Sequence, residues 1–384
     1  MKSFYQLVIL GNKNNDSDEI IKQLGNKLSE LRISKNVIKR INSNNIDNHL
    51  IKSPTICLYF GNKEKKDKDI IDRFLSQNIL ILPLVSDVKE VPNEIPENLS
   101  VINCFGYNSQ DKIPEIVNLI LEKFELLPQK RKIFISYKRS DSTKVALQLY
   151  SFLTEAGFLP FLDSFSIRPM LNFQEELKNY MVDCDLILLL DTKNFFDSKW
   201  TVEEFNQANA LSIGIIRLIW PDTDKAKDKE SKCGLFENIE LKKEDFSNVN
   251  FTMNGKLKKS TLNIIKTQIE MFRARSIQFR QSNIIGEISK YATSQKKNII
   301  QLHNYLQIKE NADILIIPTL GIPNSENFNS ARKFLDEPHN KKQLYLLYDN
   351  RNILKSWLNY LDWINKYNIP IKTVKVSNLE ELGW

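Results

Sequence analysis

The chain has 384 residues, of which 42% are hydrophobic and 26% are charged, and a formal net charge of +7. This length exceeds one ordinary hydrophobic core and predicts two or three domains of a globular protein. The longest apolar runs have the length of strands, well short of the ~20 residues that cross a membrane. The amino terminus lacks a signal-peptide pattern. We therefore expect a cytoplasmic protein without membrane contact, and the scattered lysines disfavour nucleic acid as a partner.

The first part of the chain alternates strand-like and helix-like patterns. Short apolar runs occupy residues 4–11, 55–61, 78–85 and 100–107, and helical spacing of apolar residues covers 16–32 and 113–127. This alternation predicts a parallel α/β sheet. Pro128 ends the last helix, and a basic linker follows it. Residues 1–128 are thus predicted to form an amino-terminal α/β domain, and they contain no glycine-rich phosphate-binding loop.

The same alternation occurs twice more. Residues 131–283 begin with the strand-like run 133–137 and a helix that we expect to be capped near Ser140 to Ser142, and they end with an amphipathic segment at 257–280. Residues 284–384 contain strand-like runs at 312–318 and 343–349 and a helical pattern at 352–368. The predicted fold class is therefore α/β, with three consecutive units at 1–128, 131–283 and 284–384.

The middle unit contains two adjacent glutamates, Glu203 and Glu204, on a segment with helical spacing. On a helical wheel, Glu204 lies about 40° from Trp200, within an apolar stripe, whereas Glu203 lies on the polar side. A partly buried carboxylate has a raised pKa and is typical of functional acids. The alternative is that Glu204 is a glutamate at the rim of the helix, paired with a nearby lysine or arginine.

Histidine placement limits the chemistry of this unit. The three histidines are His49, His303 and His339, and all of them lie outside residues 131–283. A Ser-His-Asp triad or a histidine-ligated metal within the unit is thereby excluded, and we predict no metal site.

Several fragments of the middle unit, taken in their order, resemble a known family. They are an "FISY" first strand, a "GFLPFLD" second strand, a loop and helix that end in "DCDLILLLD", and the helix start "SKWTVEE". This series is similar to a TIR domain, of the Toll/interleukin-1 receptor family, over residues 131–283. The resemblance implies a flavodoxin-like fold, with a parallel sheet flanked by helices.

The resemblance also implies an activity. In TIR domains that cleave NAD⁺, the glutamate four residues after the tryptophan is catalytic, and here that residue is Glu204. We therefore expect an NAD⁺ nucleosidase of bacterial anti-phage defence, with NAD⁺ as its substrate and no other cofactor. Two alternatives stay open: a TIR enzyme that converts NAD⁺ into a cyclic ADP-ribose-type signal, and a non-catalytic TIR adaptor that acts through assembly.

Other site residues are predicted by position. Tyr137, Lys138 and Arg139 follow the first strand at its carboxyl end, where α/β folds bind ligands. The two cations are placed to pair with a diphosphate, although a solvated charge pair is an equal alternative. Phe173 corresponds to an aromatic near the nicotinamide in related enzymes, and Trp200 is expected beneath the site. Core packing is the alternative for both aromatics.

Assembly and regulation are further expectations from the family. TIR enzymes commonly become active on clustering or on a signal from a sensor domain, which implies a homo-oligomer or filament through TIR contacts and an activating ligand or protein. The two flanking units are candidates for these roles. The loop 164–172 carries Pro169 followed by Met170, where glycine is common in the family, so the assembly mode can differ here. The turn at Gly321 is a candidate anion site, with an ordinary turn as the alternative.

Overall fold

The structure is a computed structural model. It describes residues 5–12, 15–51, 53–100, 102–107, 112–162, 173–195, 208, 210–221, 223, 234–247, 255–302, 305–335, 343–367 and 369–383, with the side chains of 173 and 174 excepted. The chain divides into two compact units, Met1–Gln129 and Lys130–Trp384. Within the described ranges, no helix combines the length and the apolar character needed to cross a membrane.

The first unit contains a parallel sheet of five strands in the order β2-β1-β3-β4-β5. The strands are β1 (Tyr5–Gly11), β2 (Ile38–Asn42), β3 (Thr55–Phe60), β4 (Leu80–Val85) and β5 (Phe105–Gly106). The helices are α1 (Asn15–Glu30), α2 (Lys68–Ser76), the single turn α3 (Val91–Glu94) and α4 (Ile113–Lys123). This strand order is that of the flavodoxin-like folds.

Periodicity explains these elements. In α1, the buried residues Ile20, Leu24 and Leu28 recur every four positions and form one apolar face, which packs beside α4. The central strand β3 is apolar over nearly its whole length because both of its faces are covered. Short 3-10 helices complete the connections at Lys35–Val37, Ser43–Asn48, Val88–Glu90 and Glu97–Leu99.

The second unit begins with another parallel sheet, in the order β10-β9-β8-β6-β7. Its strands are β6 (Lys132–Ser136), β7 (Leu159–Phe161), β8 (Leu186–Asp191), β9 (Gly214–Ile219) and β10 (Phe236–Glu240). Its described helices are α5 (Arg139–Glu155), α6 (Phe173–Val182) and the long α7 (Lys259–Ser294), which follows a 3-10 turn at Lys243–Asp245. When its strands are renumbered from the first, this order also matches the flavodoxin-like topology.

A third sheet completes the second unit, and it is mixed. Its strands are β11 (Ile299–Leu302), β12 (Tyr305–Ile308), β13 (Asn311–Thr319), β14 (Gln343–Tyr348) and β15 (Ile371–Lys375), in sequential order. The first three pair antiparallel, whereas β13, β14 and β15 pair parallel. The accompanying helices are α8 (Ser325–Arg332), α9 (Lys355–Ile364) and a final 3-10 segment at Val376–Leu382.

Helix α7 is held to the central sheet by a line of buried polar contacts. The side chain of Arg273 is fully buried, and its Nε donates to the carboxylate of Asp185 at 2.5 Å. Burial raises the pKa of the Asp185 carboxyl above its usual value, and the guanidinium of Arg273 opposes that rise. One turn earlier, Glu270 forms a second ion pair with Arg131 at 2.8 Å.

The next turns of α7 continue the same line. The hydroxyl of Ser276 donates to the carbonyl of Asp185 at 2.6 Å and accepts the backbone N–H of Gly214 at 3.0 Å. A Cβ on Gly214 would lie 2.6 Å from that hydroxyl oxygen, so the helix approaches β9 closely only because this residue is glycine. Arg280 then donates to the last carbonyls around α6, at Val182 and Cys184.

The carboxy-terminal part of the second unit packs on α6. Leu177 and Met181 of α6 share one buried cluster with Tyr348, Ile353 and Leu361 from the third sheet and α9. Two backbone amides of the carboxy-terminal part reinforce this contact. Leu354 N–H donates to the side chain of Asn179, and Ile322 N–H donates to the side chain of Asp183.

The predicted elements agree with the structure in type and differ at several boundaries. We placed a unit boundary at residues 283 and 284, but α7 runs without interruption from Lys259 to Ser294 across that point. Both sheets of the second unit share this helix, so a division of the chain into three domains stays a prediction. Strands β2, β10, β11 and β12 were not predicted, and the run 100–107 contains only the two-residue strand β5.

The buried ion pair of α7 leads to a stability prediction. Replacing Arg273 by methionine leaves the carboxylate of Asp185 buried without its cation, and we expect a loss of about 3–5 kcal/mol in the free energy of unfolding of the second unit. The matched control is Arg275→Met, two residues along the same helix, whose 3.2 Å ion pair with Glu237 is exposed. That variant should change stability by less than about 1 kcal/mol. Urea denaturation of both variants measures the difference, and equal losses would contradict the assignment.

Candidate functional site

The strand order of the central sheet reverses between β6 and β8, and we call the region beyond the carboxyl ends of these two strands the crevice. The chain leaves β6 toward β7 on one side, and β8 lies on the other side of β6. In open α/β sheets, ligands bind outside the carboxyl ends of the strands at this switch point. Residues 137–139 follow β6 and residues 192–195 follow β8, so both connections border the crevice.

A buried carboxylate joins these two connections. Asp141, in the first turn of α5, is 6% exposed and accepts three side-chain hydrogen bonds. The donors are Ser140 Oγ at 2.7 Å, Thr192 Oγ1 at 2.9 Å and Asn194 Nδ2 at 3.2 Å. Ser140 precedes Asp141 in α5, and the other two donors lie just after β8. This network ties the start of α5 to the turn after β8.

The three residues predicted after the first strand have different environments. Lys138 Nζ donates to the carbonyl of Asn194 at 2.8 Å, so this cation also ties α5 to the turn after β8. Tyr137 is buried in the hydrophobic cluster under α5, whereas Arg139 is exposed. Arg139 is thus the predicted cation that is presented to solvent beside the crevice, and the substrate-binding roles of all three residues stay predictions.

The start of α5 differs from the predicted cap. We expected a side-chain cap from Ser140 to Ser142, but the helix begins at Arg139 and Lys138 occupies the cap position without a side-chain cap bond. Ser140 is bound to Asp141, and the backbone of Ser142 departs from helical angles (φ −138°, ψ 22°). The carbonyl of Lys138 accepts the amides of Asp141 and Ser142. The polar residues thus serve the Asp141 network and not a helix cap.

The end of β8 is anchored by a second buried ion pair. Asp191 is 1% exposed in its side chain and pairs with Arg217 of β9 at 2.6 Å. Its carbonyl accepts the amide of Trp220 at 3.0 Å and the hydroxyl of Thr223 at 3.0 Å. Because β8 leads directly into residues 192–195, these contacts hold the origin of the segment that carries the two glutamates.

The remaining predicted site residues lie mostly outside the described residues. Glu204, its neighbour Glu203 and Trp200 belong to the range 196–207, which lies outside the described residues. Phe173 is the first residue of α6, and its side chain is outside the description. The catalytic role of Glu204 and the binding roles of Trp200 and Phe173 therefore stay predictions.

Metal-binding and nucleophilic groups are the remaining candidates for chemistry. In the described part of the chain, no group of three or more histidine, cysteine, aspartate or glutamate side chains is arranged to hold a metal ion. Cys57, Cys104 and Cys184 are free thiols. Burial raises the pKa of the Cys184 thiol to about 12, which leaves it protonated and unreactive at neutral pH.

In the first unit, the corresponding switch point is filled by the side chain of Asp67. Gly11 ends β1 with φ +81°, and its amide donates to the carboxylate of Asp67 at 2.8 Å. The same carboxylate oxygen accepts the hydroxyl of Ser43 at 2.9 Å. An anion would have to displace Asp67 to reach this amide, so we do not place a phosphate site there.

Topology and crevice together define the central sheet as a doubly wound, flavodoxin-like domain with its candidate site beside β6 and β8. Residues 133–250 match the family model of the TIR domain. The central part of this chain is a TIR domain.

A search of curated proteins finds no match. Two solved structures resemble the chain, both with a TM-score of 0.21. One is tagatose-6-phosphate ketose/aldose isomerase from Escherichia coli, at 10% identity over 74% of this chain and 84% of that chain. The other is the C-terminal domain of glucosamine-fructose-6-phosphate aminotransferase from Francisella tularensis, at 7% identity over 72% and 84%. Likeness at this level supports no statement about function.

The Asp141 network leads to a prediction about local order. Asp141→Ala removes the acceptor of Thr192 and Asn194, so we expect a loss of about 1–3 kcal/mol in stability and faster amide hydrogen exchange in residues 190–195. The control is Asp245→Ala, which removes an aspartate that accepts from Thr261 and Lys242 away from the crevice. Exchange in residues 190–195 should be unchanged in the control. Unchanged exchange in Asp141→Ala would show that the network does not hold this turn.

Proposed function

We propose that the TIR domain of this chain cleaves the bond between nicotinamide and ribose in NAD⁺ and that Glu204 is its catalytic carboxylate. The proposal depends chiefly on the family match over residues 133–250, which contains Glu204 four residues after Trp200. It extends to a role as an anti-phage defence effector that depletes NAD⁺ once it self-associates.

The architecture around the crevice supports this proposal. The turn at residues 192–195 is bound to Asp141 and Lys138, and the end of β8 is bound to Arg217. The segment with Glu204 therefore begins from a rigid point beside the crevice. A catalytic group needs such fixed support, because a displacement of about 1 Å costs on the order of 100-fold in rate.

The proposed reaction requires few protein groups. In NAD⁺ the nicotinamide is a cationic pyridinium, so it leaves as a neutral molecule that needs no protonation. Cleavage of the C–N bond develops positive charge on the ribose, and a carboxylate beside the ribose hydroxyls stabilises that charge. Water then adds to the ribose carbon and loses a proton, which gives ADP-ribose. One glutamate and a crevice that holds the diphosphate suffice for this sequence.

Two other functions of the same domain remain as alternatives. An intramolecular nucleophile in place of water would convert NAD⁺ into a cyclic ADP-ribose-type product, with the same role for Glu204. A non-catalytic adaptor would use the TIR surface for assembly alone. Chromatography of the products after incubation with NAD⁺ separates the three: ADP-ribose, a cyclic product, or unchanged NAD⁺.

The catalytic assignment is tested by a pair of adjacent variants. Glu204→Gln should lower the rate of NAD⁺ cleavage by about 100-fold or more, which corresponds to several kcal/mol of lost transition-state stabilisation. Glu203→Gln is the matched control, since it removes the neighbouring charge, and its effect should be small. Thermal unfolding of both variants checks that the fold is kept. The reverse pattern, with Glu203→Gln inactive and Glu204→Gln active, would show that the assignment of Glu204 as the catalytic residue is wrong.

Self-association is the second part of the proposal, and one surface feature favours it. Four aromatic residues on and after α9 are each between 41% and 52% exposed. They are Trp357, Tyr360, Trp363 and Tyr367, and adjacent rings lie 5.0–6.1 Å apart. Exposed apolar surfaces of this kind commonly mark protein interfaces. This surface would act in addition to the predicted contacts between TIR domains.

Activity is therefore expected to rise more steeply than protein concentration. Sedimentation velocity and NAD⁺ cleavage measured over the same dilution series should show oligomers and specific activity appearing together. Trp357→Ser combined with Trp363→Ser should shift both to higher concentration, because it removes the two largest rings of the aromatic surface. Full specific activity in a sample that stays monomeric at every dilution would remove self-association from the proposal.

Regulation by the carboxy-terminal part is the third element. Its residues share a buried cluster with Leu177 and Met181 of α6, the helix that follows residues 163–172. A truncation at Asn283 would cut α7 and expose these side chains, so it would mix loss of regulation with loss of folding. Point substitutions in the carboxy-terminal part are the appropriate test of a regulatory role.

A further inference from the structure

A cavity of about 520 Å³ lies within the second unit, away from the crevice beside β6. Its floor is formed where three neighbouring parallel strands end. Gly321 follows β13, Asp349 to Arg351 follow β14, and Val376 and Ser377 follow β15. This is the edge at which α/β sheets place their ligands, and the volume is within the range of small-molecule sites.

The local backbone is shaped for this cavity. Gly321 has φ +69°, and a Cβ there would lie 2.5 Å from the carboxylate of Asp183. The turn after β13 can therefore lie against α6 only with glycine at this position. Helix α8 supplies no anion site, because Asn324 caps it and already accepts the amides of Glu326 and Asn327.

The charged side chains around the cavity are equal in number for each sign, and both arginines already form hydrogen bonds or ion pairs within the protein. Arg280 donates to the carbonyls of Val182 and Cys184, and Arg351 forms a fork with Asp349. Glu287 and Asp349 offset these two cations. A phosphate would find no uncompensated positive charge, so the cavity favours a neutral ligand.

The lining of the cavity combines apolar and polar side chains. Leu211, Ile284 and Val376 are apolar and suit the face of a planar ring. Asn350, Ser377 and the carboxylate of Asp349, which Arg351 also binds, supply polar groups. Carboxylates at the ends of parallel strands accept the hydroxyls of ribose in α/β proteins. We infer that this cavity binds a neutral ribonucleoside, with the base against the apolar side chains and the ribose hydroxyls on Asp349.

A ligand in this position would also contact the TIR domain. Ala210, Leu211 and Ser212 form one wall of the cavity, and they lie six to eight residues after Glu204 in the chain. Ser212 is held at φ +56°, two residues before β9 begins. Occupancy of the cavity thus acts on the end of the segment that carries the proposed catalytic glutamate. This regulatory consequence rests on the proposed function, whereas the binding site itself does not.

Isothermal titration of the full chain tests the site, with adenosine, guanosine, cytidine and uridine as probes. At least one should bind saturably at one site per chain. Its 2′,3′-dideoxy analogue should bind at least ten-fold more weakly, a difference of about 1.4 kcal/mol. Absence of saturable binding by all four at millimolar concentration overturns the inference. Tighter binding of the 5′-monophosphate than of the nucleoside also overturns it, because the ligand would then be anionic.

Variants locate the binding. Ser377→Trp should abolish it by filling the cavity, and Ser294→Trp, which places the same side chain at the exposed end of α7, should leave it unchanged. Asn283→Ala, a milder change at the mouth, should weaken binding and covers the case in which Ser377→Trp does not fold. Binding that survives both cavity variants lies elsewhere, for example at the crevice beside β6, and overturns the inference.

The regulatory consequence has a separate readout. The bound nucleoside should change the rate of NAD⁺ cleavage by the wild type and should leave the rate of Ser377→Trp unaffected. If the wild type does not cleave NAD⁺ at all, the proposed function fails while the titration still decides the site. If cleavage is observed and the nucleoside changes it equally in both proteins, the cavity does not regulate the TIR domain.

Discussion

The packing of the second unit depends on one buried ion pair, between Arg273 of α7 and Asp185 at the start of β8. Removing two charges from water is costly, so such a pair is tolerated only when both groups are held in register. That requirement fixes α7 along and around its axis. Ser276 then meets Gly214, and Arg280 meets the end of α6. The second half of α7 is thereby directed onto the third sheet, where Ile284 and Ile288 are buried.

The two ends of the central sheet consequently have different characters. At the amino ends of the strands, α7 leaves little room for movement, because its contacts are short and buried. At the carboxyl ends, Asp141 and Lys138 hold the turn after β8 by side-chain hydrogen bonds. The candidate site lies at the second end, where α/β proteins bind their ligands.

Much of the fold could be predicted because the spacing of apolar residues in the sequence reflects which side chains are buried. The run at β8 is uniformly apolar, as expected for a strand covered on both faces, and α4 repeats its apolar residues at helical spacing. Edge strands gave weaker signals. In β2 and β10, polar and charged residues outnumber apolar ones, because these edge strands are only partly covered. The full length of α7 was not predicted, since its buried residues turn from one sheet to another along the helix.

The candidate site was predicted in part. The position of residues 137–139 at the crevice follows from the first strand alone, but the network of Asp141 requires knowledge of which strand ends lie side by side. Asp141 follows β6 and Thr192 follows β8, and 50 residues separate them in the sequence. Both are polar residues close to the carboxyl end of a buried strand, five residues after β6 for Asp141 and one residue after β8 for Thr192, and this is the signal that could have indicated them. For Glu204, sequence remains the sole basis of the assignment.

The uninterrupted course of α7 has a consequence for how this protein can have been assembled from older parts. A recombination event that copied only residues 131–283 would have carried 25 of the 36 residues of α7, with Ile284 and Ile288 left behind. The smallest segment that preserves every contact of α7 described above is 130–384. If related chains arose by exchange of modules, the TIR domain and the mixed sheet should have been exchanged as one segment. The expected junction is the short linker after Pro128.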